Sequence, residues 1–153
     1  MALEKKLIGQ TEHINFPELH LDSIVARIDT GAQTSAIWAS NIELRDGILR
    51  FTLFDETSEY YTGDVLQTHA YQIRTIISSI GTKEDRYVVK LLILIGGRNI
   101  RASFTLANRS VQKYPVLIGR NVLRGKFLVD VEHGHELLTI TQSKPKVTSL
   151  DKE

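Results

Sequence analysis

The sequence has no cysteine among its 153 residues. That absence removes disulfides, thiolate nucleophiles and thiolate zinc sites together. Charge of one sign is also missing: 19 basic residues stand against 18 acidic ones. No global field therefore gathers nucleic acid or anionic lipid. Long apolar runs are absent too, and the longest, LLILIGG from Leu91, is far too short to cross a bilayer. The opening MALEKKLIGQ carries charges where a signal peptide keeps its apolar core. No His-Glu-x-x-His occurs, and IGGRN lacks the lysine and spacing of a phosphate-binding loop. Tyr60, Tyr61 and Tyr71 stand among too few basic residues to suggest stacking on nucleic acid. The expectation is a cytoplasmic protein that uses neither a cofactor nor a metal and binds neither nucleic acid nor a membrane.

The chain is one ordinary domain's worth, long enough to bury a core without staples. Its segments are short, rich in β-branched residues and divided by turn signals. NIELRDGILRFTLFD sets Asp46-Gly47 between two alternating runs, a strong hairpin signal. YVVKLLILIGGRNIRASFTL reads as two strands around Gly96-Gly97. In its second arm Ile100, Ala102, Phe104 and Leu106 alternate with Arg101, Ser103 and Thr105, one face buried and one wet. KFLVDVEHGHELLTI reads as a third hairpin with Gly134 at its tip. No stretch of helical length shows an apolar stripe, and the best helix candidate is a short one just after Gly119. The fold class is all-β, a barrel or a sandwich. Residues 1–141 form the expected domain, and 142–153, polar and without periodicity, read as a mobile tail.

In SIVARIDTGAQTSAIWA, Ile24, Ala26 and Ile28 share one face of a strand, and Asp29 stands at its end. Asp-Thr-Gly is good turn chemistry, so the triplet alone leaves a turn-former and a catalyst both open. About ninety residues on, YPVLIGRNVL repeats the plan of an apolar strand ending in a glycine turn. Asp29-Thr30-Gly31-Ala32 together with Leu117-Ile118-Gly119-Arg120-Asn121 resembles the retropepsin-like aspartic proteases. A closer resemblance is to the bacterial family known as ATP-dependent zinc proteases, carried by ARIDTGAQTSAI, NRSVQKYPVLIGRNVL and GKFLVDV. It covers about Leu7 to Val131. LIGQTEHINFPEL looks like that family's first strands.

The resemblance implies a closed retropepsin-like barrel with one short helix after Leu117-Ile118-Gly119. It implies that Asp29 is catalytic. Two carboxylates about 3 Å apart cannot both ionise, so they share a proton and supply a base and an acid at once. The chain has one such acid, so a homodimer would have to provide the second. Thr30 would then hydrogen-bond across the two-fold axis, Gly31 would bring its N–H to the carboxylates, and Ala32 would floor the groove. Leu117, Ile118 and Gly119 would form an apolar bed behind the acid. Arg120 would make an ion pair near the loop. Gln33 stands where viral members carry the accepting acid, which leaves Asp130 and Glu43 as partners to consider.

The turn in RTIISSIGTKEDRYVV is a candidate flap, with Ser78, Ser79 and Gly81 at its tip; an ordinary hairpin loop is the equal alternative. Arg74 and Arg86 flank it and would favour an acidic peptide, unless they are merely solvated. In an extended His133-Gly134-His135-Glu136 both imidazoles would face one side, as metal ligands do, but the glycine marks a turn instead. The reading is a homodimeric aspartic endopeptidase acting on a peptide or protein substrate. The alternative is an inactive peptide- or partner-binding module associated with an ATP-grasp peptide ligase, an association the family resemblance implies.

Overall fold

A computed structural model describes residues 4–78 and 80–134. The described residues form β1 (Lys6–Ile8), β2 (Thr11–Phe16), β3 (Leu21–Ile28), β4 (Ser35–Arg45), β5 (Ile48–Leu53) and β6 (Val65–Thr68). Then follow β7 (Gln72–Ile77), β8 (Lys83–Ile95), β9 (Arg98–Ala107), β10 (Val116–Ile118), α1 (Arg120–Leu123) and β11 (Phe127–Val129). A 3-10 turn covers Pro17–Leu19. The all-β expectation holds, and α1 is the single short helix foreseen after Gly119. None of the described helices is long and apolar enough to cross a membrane.

The pairings close on themselves. β10, β3, β2, β8, β9 and β4 follow one another in the sheet, and β4 returns to β10, a ring of six strands. β5 and β6 extend outward from β4, and β7 pairs with the far end of β8. Short β10 is the closing piece, parallel to β3 and antiparallel to β4. Its Val116 and Ile118 are fully buried, as an apolar strand enclosed on both edges requires.

Both glycine hairpins form as read. Arg45 pairs with Ile48 and Ile95 with Arg98, each across two residues of positive φ, the turn geometry that matches strand twist. Ile24, Ala26 and Ile28 do share a buried face. Trp38 is core, edge-on to Phe54 with ring centroids 6.3 Å apart. The wet face of β9 ends sooner than its alternation predicts. Thr105 is buried because β4 runs beside it, and its hydroxyl donates to the Ser35 carbonyl at 3.3 Å.

The first arm of the third expected hairpin forms as β11. β11 pairs with β1, in parallel, Leu7 opposite Leu128. Phe127 is the reason: its ring is buried against Gly96, where a Cβ would lie 2.9 Å away, and the Arg98 guanidinium covers it at 5.6 Å. The expected second arm from His135 and the tail 142–153 lie outside the described residues.

Candidate active site

Asp29 is the first residue beyond β3. β10 runs parallel to β3 with Ile118 opposite Ile28, so the two strands end together and their loops meet. The Asp29 N–H donates to the Ile118 carbonyl at 2.8 Å, and the Arg120 N–H donates to the Ala32 carbonyl at 2.8 Å. Within the loop, Gly31 N–H donates to Asp29 Oδ1 at 2.9 Å and Ala32 N–H to the Asp29 carbonyl at 3.2 Å. The Asp29 main chain is thus held at both its N–H and its carbonyl, the carboxylate accepts from Gly31, and the residue is half-buried.

The glycines permit this closeness. A Cβ on Gly119 would lie 2.3 Å from the Thr34 carbonyl oxygen and 2.9 Å from that of Ala32. One on Gly31 would lie 3.3 Å from Asp29 Oδ1. The Gly119 N–H is buried and donates to Ser35 Oγ at 3.0 Å. Ser35 in turn donates to Asn121 Oδ1 at 2.8 Å, and the Asn121 amide donates to the Ser103 carbonyl at 3.0 Å. The start of α1 is therefore bolted to β4 and β9. Asn121 belongs to the quoted LIGRN motif, yet the sequence assigns no role to it or to Ser35, although Ser35 follows the acid loop in DTGAQTS.

Arg120 does not make the expected ion pair. Its Nη1 donates to the Thr30 carbonyl at 3.1 Å. With Gln33 in place of an acid, a main-chain oxygen takes the guanidinium. The two carboxylates considered are engaged elsewhere: Asp130 with His133 at 3.0 Å and Glu43 with Arg45 at 2.6 Å. Of the two histidines weighed as metal ligands, His133 lies with its Nδ1 3.0 Å from Asp130 and His135 lies outside the described residues.

Asp29 opens onto a cleft of about 490 Å³ lined also by Thr30, Arg27, Lys113, Tyr114 and Val131. Ala32 is not part of that lining; its carbonyl is committed to Arg120. On β10 beside the loop, Ile118 is fully buried and Leu117 partly.

Cations gather at this end of the molecule. Arg109 is partly buried and its Nε donates to the Tyr114 carbonyl at 3.0 Å. Burial holds its pKa below the ordinary value, the charges of Arg86 and Arg27 push the same way, and Asp29 opposes them. Arg86 Nε is buried with no hydrogen-bond partner among the described residues. Arg86 lies opposite Arg74 in the β7–β8 hairpin, whose turn includes Ser78 and Gly81. Ser78 N–H donates to the Thr82 carbonyl at 2.8 Å, and Ser78 and Gly81 are exposed. Ser79 lies outside the described residues. Arg27 and Arg109 were not singled out in the sequence, though Arg27 is the polar member of ARID and faces away from Ala26 and Ile28.

Two kinds of known protein resemble the chain. Those most informative on architecture include a solved structure from Legionella pneumophila, a protein of unknown function. It superposes with a TM-score of 0.65 at 26% identity over 84% of this chain and 95% of that one. Among curated proteins, "Probable alpha-L-glutamate ligase" of Shewanella pealeana is 36% identical over 134 residues, 85% of this chain but 29% of that protein. The protein of the same name from Parasynechococcus marenigrum is 30% identical over 144 residues, 92% of this chain and 31% of its own. The chain thus spans under a third of the curated relatives it matches. The profile of the retropepsin-like aspartic endopeptidase RimB matches residues 7–136, and the chain belongs to this RimB-like family.

Proposed function

We propose that the chain is a homodimeric aspartic peptidase that cleaves acidic peptides with a water held between two Asp29 carboxylates, one from each subunit. The observation that carries the reading is Asp29 itself, a lone acid pinned by Ile118 and Gly31 at the mouth of an open cleft. An exposed apolar strip supports the dimer: Leu7 and Leu128 are cross-strand neighbours, 59% and 54% exposed, on the β1–β11 pair whose Val129 lines that cleft. A second copy would cover such a strip.

In the reaction, the ionised carboxylate takes a proton from water as its oxygen bonds to the scissile carbonyl carbon. The protonated carboxyl gives its proton to the carbonyl oxygen. The newly protonated carboxyl then gives its proton to the amide nitrogen while the other carboxylate takes one from a hydroxyl of the tetrahedral diol; the C–N bond breaks, acid and amine leave, and the pair is again singly protonated. The pair titrates as a unit. Leu117 and Ile118 keep the loop dry and still, and the β7–β8 hairpin is the candidate flap that excludes bulk water.

Acid preference is supported by Arg27, Arg86, Arg109 and Lys113 around the acid, and by the unpartnered Arg86 Nε. Like charges held close in a partly buried site favour an anionic guest. The curated relatives are named as glutamate ligases, whose products would carry such carboxylates. The names also favour a second reading, a noncatalytic module that holds a peptide or a ligase. Digestion of a peptide library across acidic to neutral pH, with sedimentation alongside, separates the two. Cleavage lost in Asp29→Asn with the dimer retained supports the peptidase; a monomer, or a dimer that cuts nothing, supports the binding module.

A further inference from the structure

A groove of about 830 Å³ does not include Asp29. It lies along β8, and its position follows from an irregularity in strand pairing. β9 covers one edge of β8 from Val88 to Ile95. On the other edge β7 reaches only to Val88, and β2 meets β8 at Leu94 alone. From Val89 to Ile93 that edge has no strand among the described residues. Pro17 contributes to the gap: it follows Phe16 and has no N–H to donate, and the 3-10 turn it opens stays beside β8 without continuing the ladder.

The vacant edge presents identifiable groups. Ile95 and Arg98 flank a two-residue turn and exchange both hydrogen bonds, so the N–H and C=O of Ile95 point to β9. Alternation then aims those of Lys90 and Leu92 at the empty side. Around this edge the groove is lined by Leu19, Phe51, Leu66 and Tyr71, with Lys90 and Arg101 as its charged members and no carboxylate. Arg101 is already paired with Glu18 at 2.7 Å, whereas Lys90 is exposed and has no acidic partner among the described residues.

We infer that this groove is an exosite in which an extended acidic peptide adds to the vacant edge of β8, its carboxylates facing Lys90 and Arg101. The occupant must be extended because an unpaired strand edge offers main-chain donors and acceptors at strand spacing. It carries an acidic residue because Lys90 is the charged lining residue left without an acidic partner among the described residues. The gap from Val88 to Leu94 accepts a segment of about four or five residues. Arg86 and Lys90 stand on one face of β8, about 13 Å apart along the strand. One long chain can therefore engage both the cations near Asp29 and the groove. This inference rests on the acidic-peptide reading of the Asp29 site and assigns the occupant to the uncut part of the same substrate.

Full-length Asp29→Asn protein, titrated with labelled oligoglutamates by fluorescence anisotropy, tests it without requiring cleavage. In that background Lys90→Glu reverses the groove's free charge. Lys90→Pro deletes the N–H aimed at the vacant edge while sparing the ladder to β9. Both should weaken binding of an oligoglutamate of about twelve residues by about tenfold and leave one of about two residues, too short to fill the gap, unaffected. With Asp29 intact, the same changes should raise KM for the long peptide and spare kcat. Equal loss for both lengths, or no loss for either, overturns the exosite. If the groove variants behave as expected but the intact chain cleaves nothing, the peptidase reading fails and the exosite stands.

Discussion

The Asp29 N–H donates to the Ile118 carbonyl at 2.8 Å, tying the acid to a strand that lies about ninety residues further along the chain. That bond exists because β3 and β10 are parallel and end at the same level, a pairing fixed by buried Ile28 and Ile118. Asp29→Asn keeps the backbone bond and leaves Oδ1 able to accept from Gly31, so the fold and the proposed dimer should survive. In that dimer it would remove the shared proton. Peptide hydrolysis should fall at least about a hundredfold, measured by single-turnover cleavage alongside sedimentation.

Gly119 should tolerate no side chain. A Cβ there meets the Thr34 carbonyl at 2.3 Å, and both partners are main chain, so neither can rotate aside. Gly119→Ala should cost about 3 kcal/mol or prevent folding. Ser35→Ala is the milder probe: it strands the buried Gly119 N–H and should cost about 1–3 kcal/mol. Urea midpoints for the two variants check both, and an unchanged midpoint for Ser35→Ala would show the N–H has another acceptor.

The parts of this site legible in the sequence are those written in adjacent residues. Asp29, Gly31 and Gly119 announce themselves by turn chemistry at the ends of apolar strands, and the Asp46-Gly47 and Gly96-Gly97 hairpins by alternation. Ser35 and Asn121 did not, because a hydrogen bond across 86 positions leaves no local pattern. The arginine cluster was hidden for the same reason: Arg27, Arg86 and Arg109 come from separate strands and loops and meet only in the fold. The parallel β1–β11 pair was unreadable too, since parallel partners need no turn between them.

Arg120 offers a test that separates two acceptors. An ion pair would lose its worth as the carboxylate protonates, but the Thr30 carbonyl does not titrate. Arg120→Ala should therefore cost about 1 kcal/mol, and equally at pH 4 and pH 7. Urea denaturation of both proteins at the two pH values reads this directly; a cost that vanishes in acid would restore a carboxylate partner.

Tyr60 should weaken the fold in alkali. Burial beside the Phe54 ring raises its phenol above the ordinary value of 10.0, against a lowering by the Val25 N–H, which donates to its oxygen at 3.4 Å. A raised folded pKa means the unfolded chain releases its proton first. Stability from this group is full below about pH 10 and is lost as pH climbs through the folded value. Tyr60→Phe should flatten that decline while leaving stability near neutrality little changed, checked by thermal melts from pH 8 to 11.

Arg109 should show stability and activity moving in opposite directions. Its charge is partly buried and pressed by Arg86 and Arg27, with Asp29 as the opposing influence. Removing that charge relieves repulsion and a desolvation cost, so Arg109→Gln should raise the denaturation midpoint slightly; the lost Nε bond to Tyr114 is one the amide can replace. The same change removes a cation from the acid's surroundings, so KM for acidic peptides should rise while KM for neutral peptides stays constant. High salt should shrink the difference, because it screens the partly exposed members of the cluster. An equal rise for acidic and neutral peptides would mean Arg109 shapes the loop that carries Tyr114 and does not read the substrate's charge.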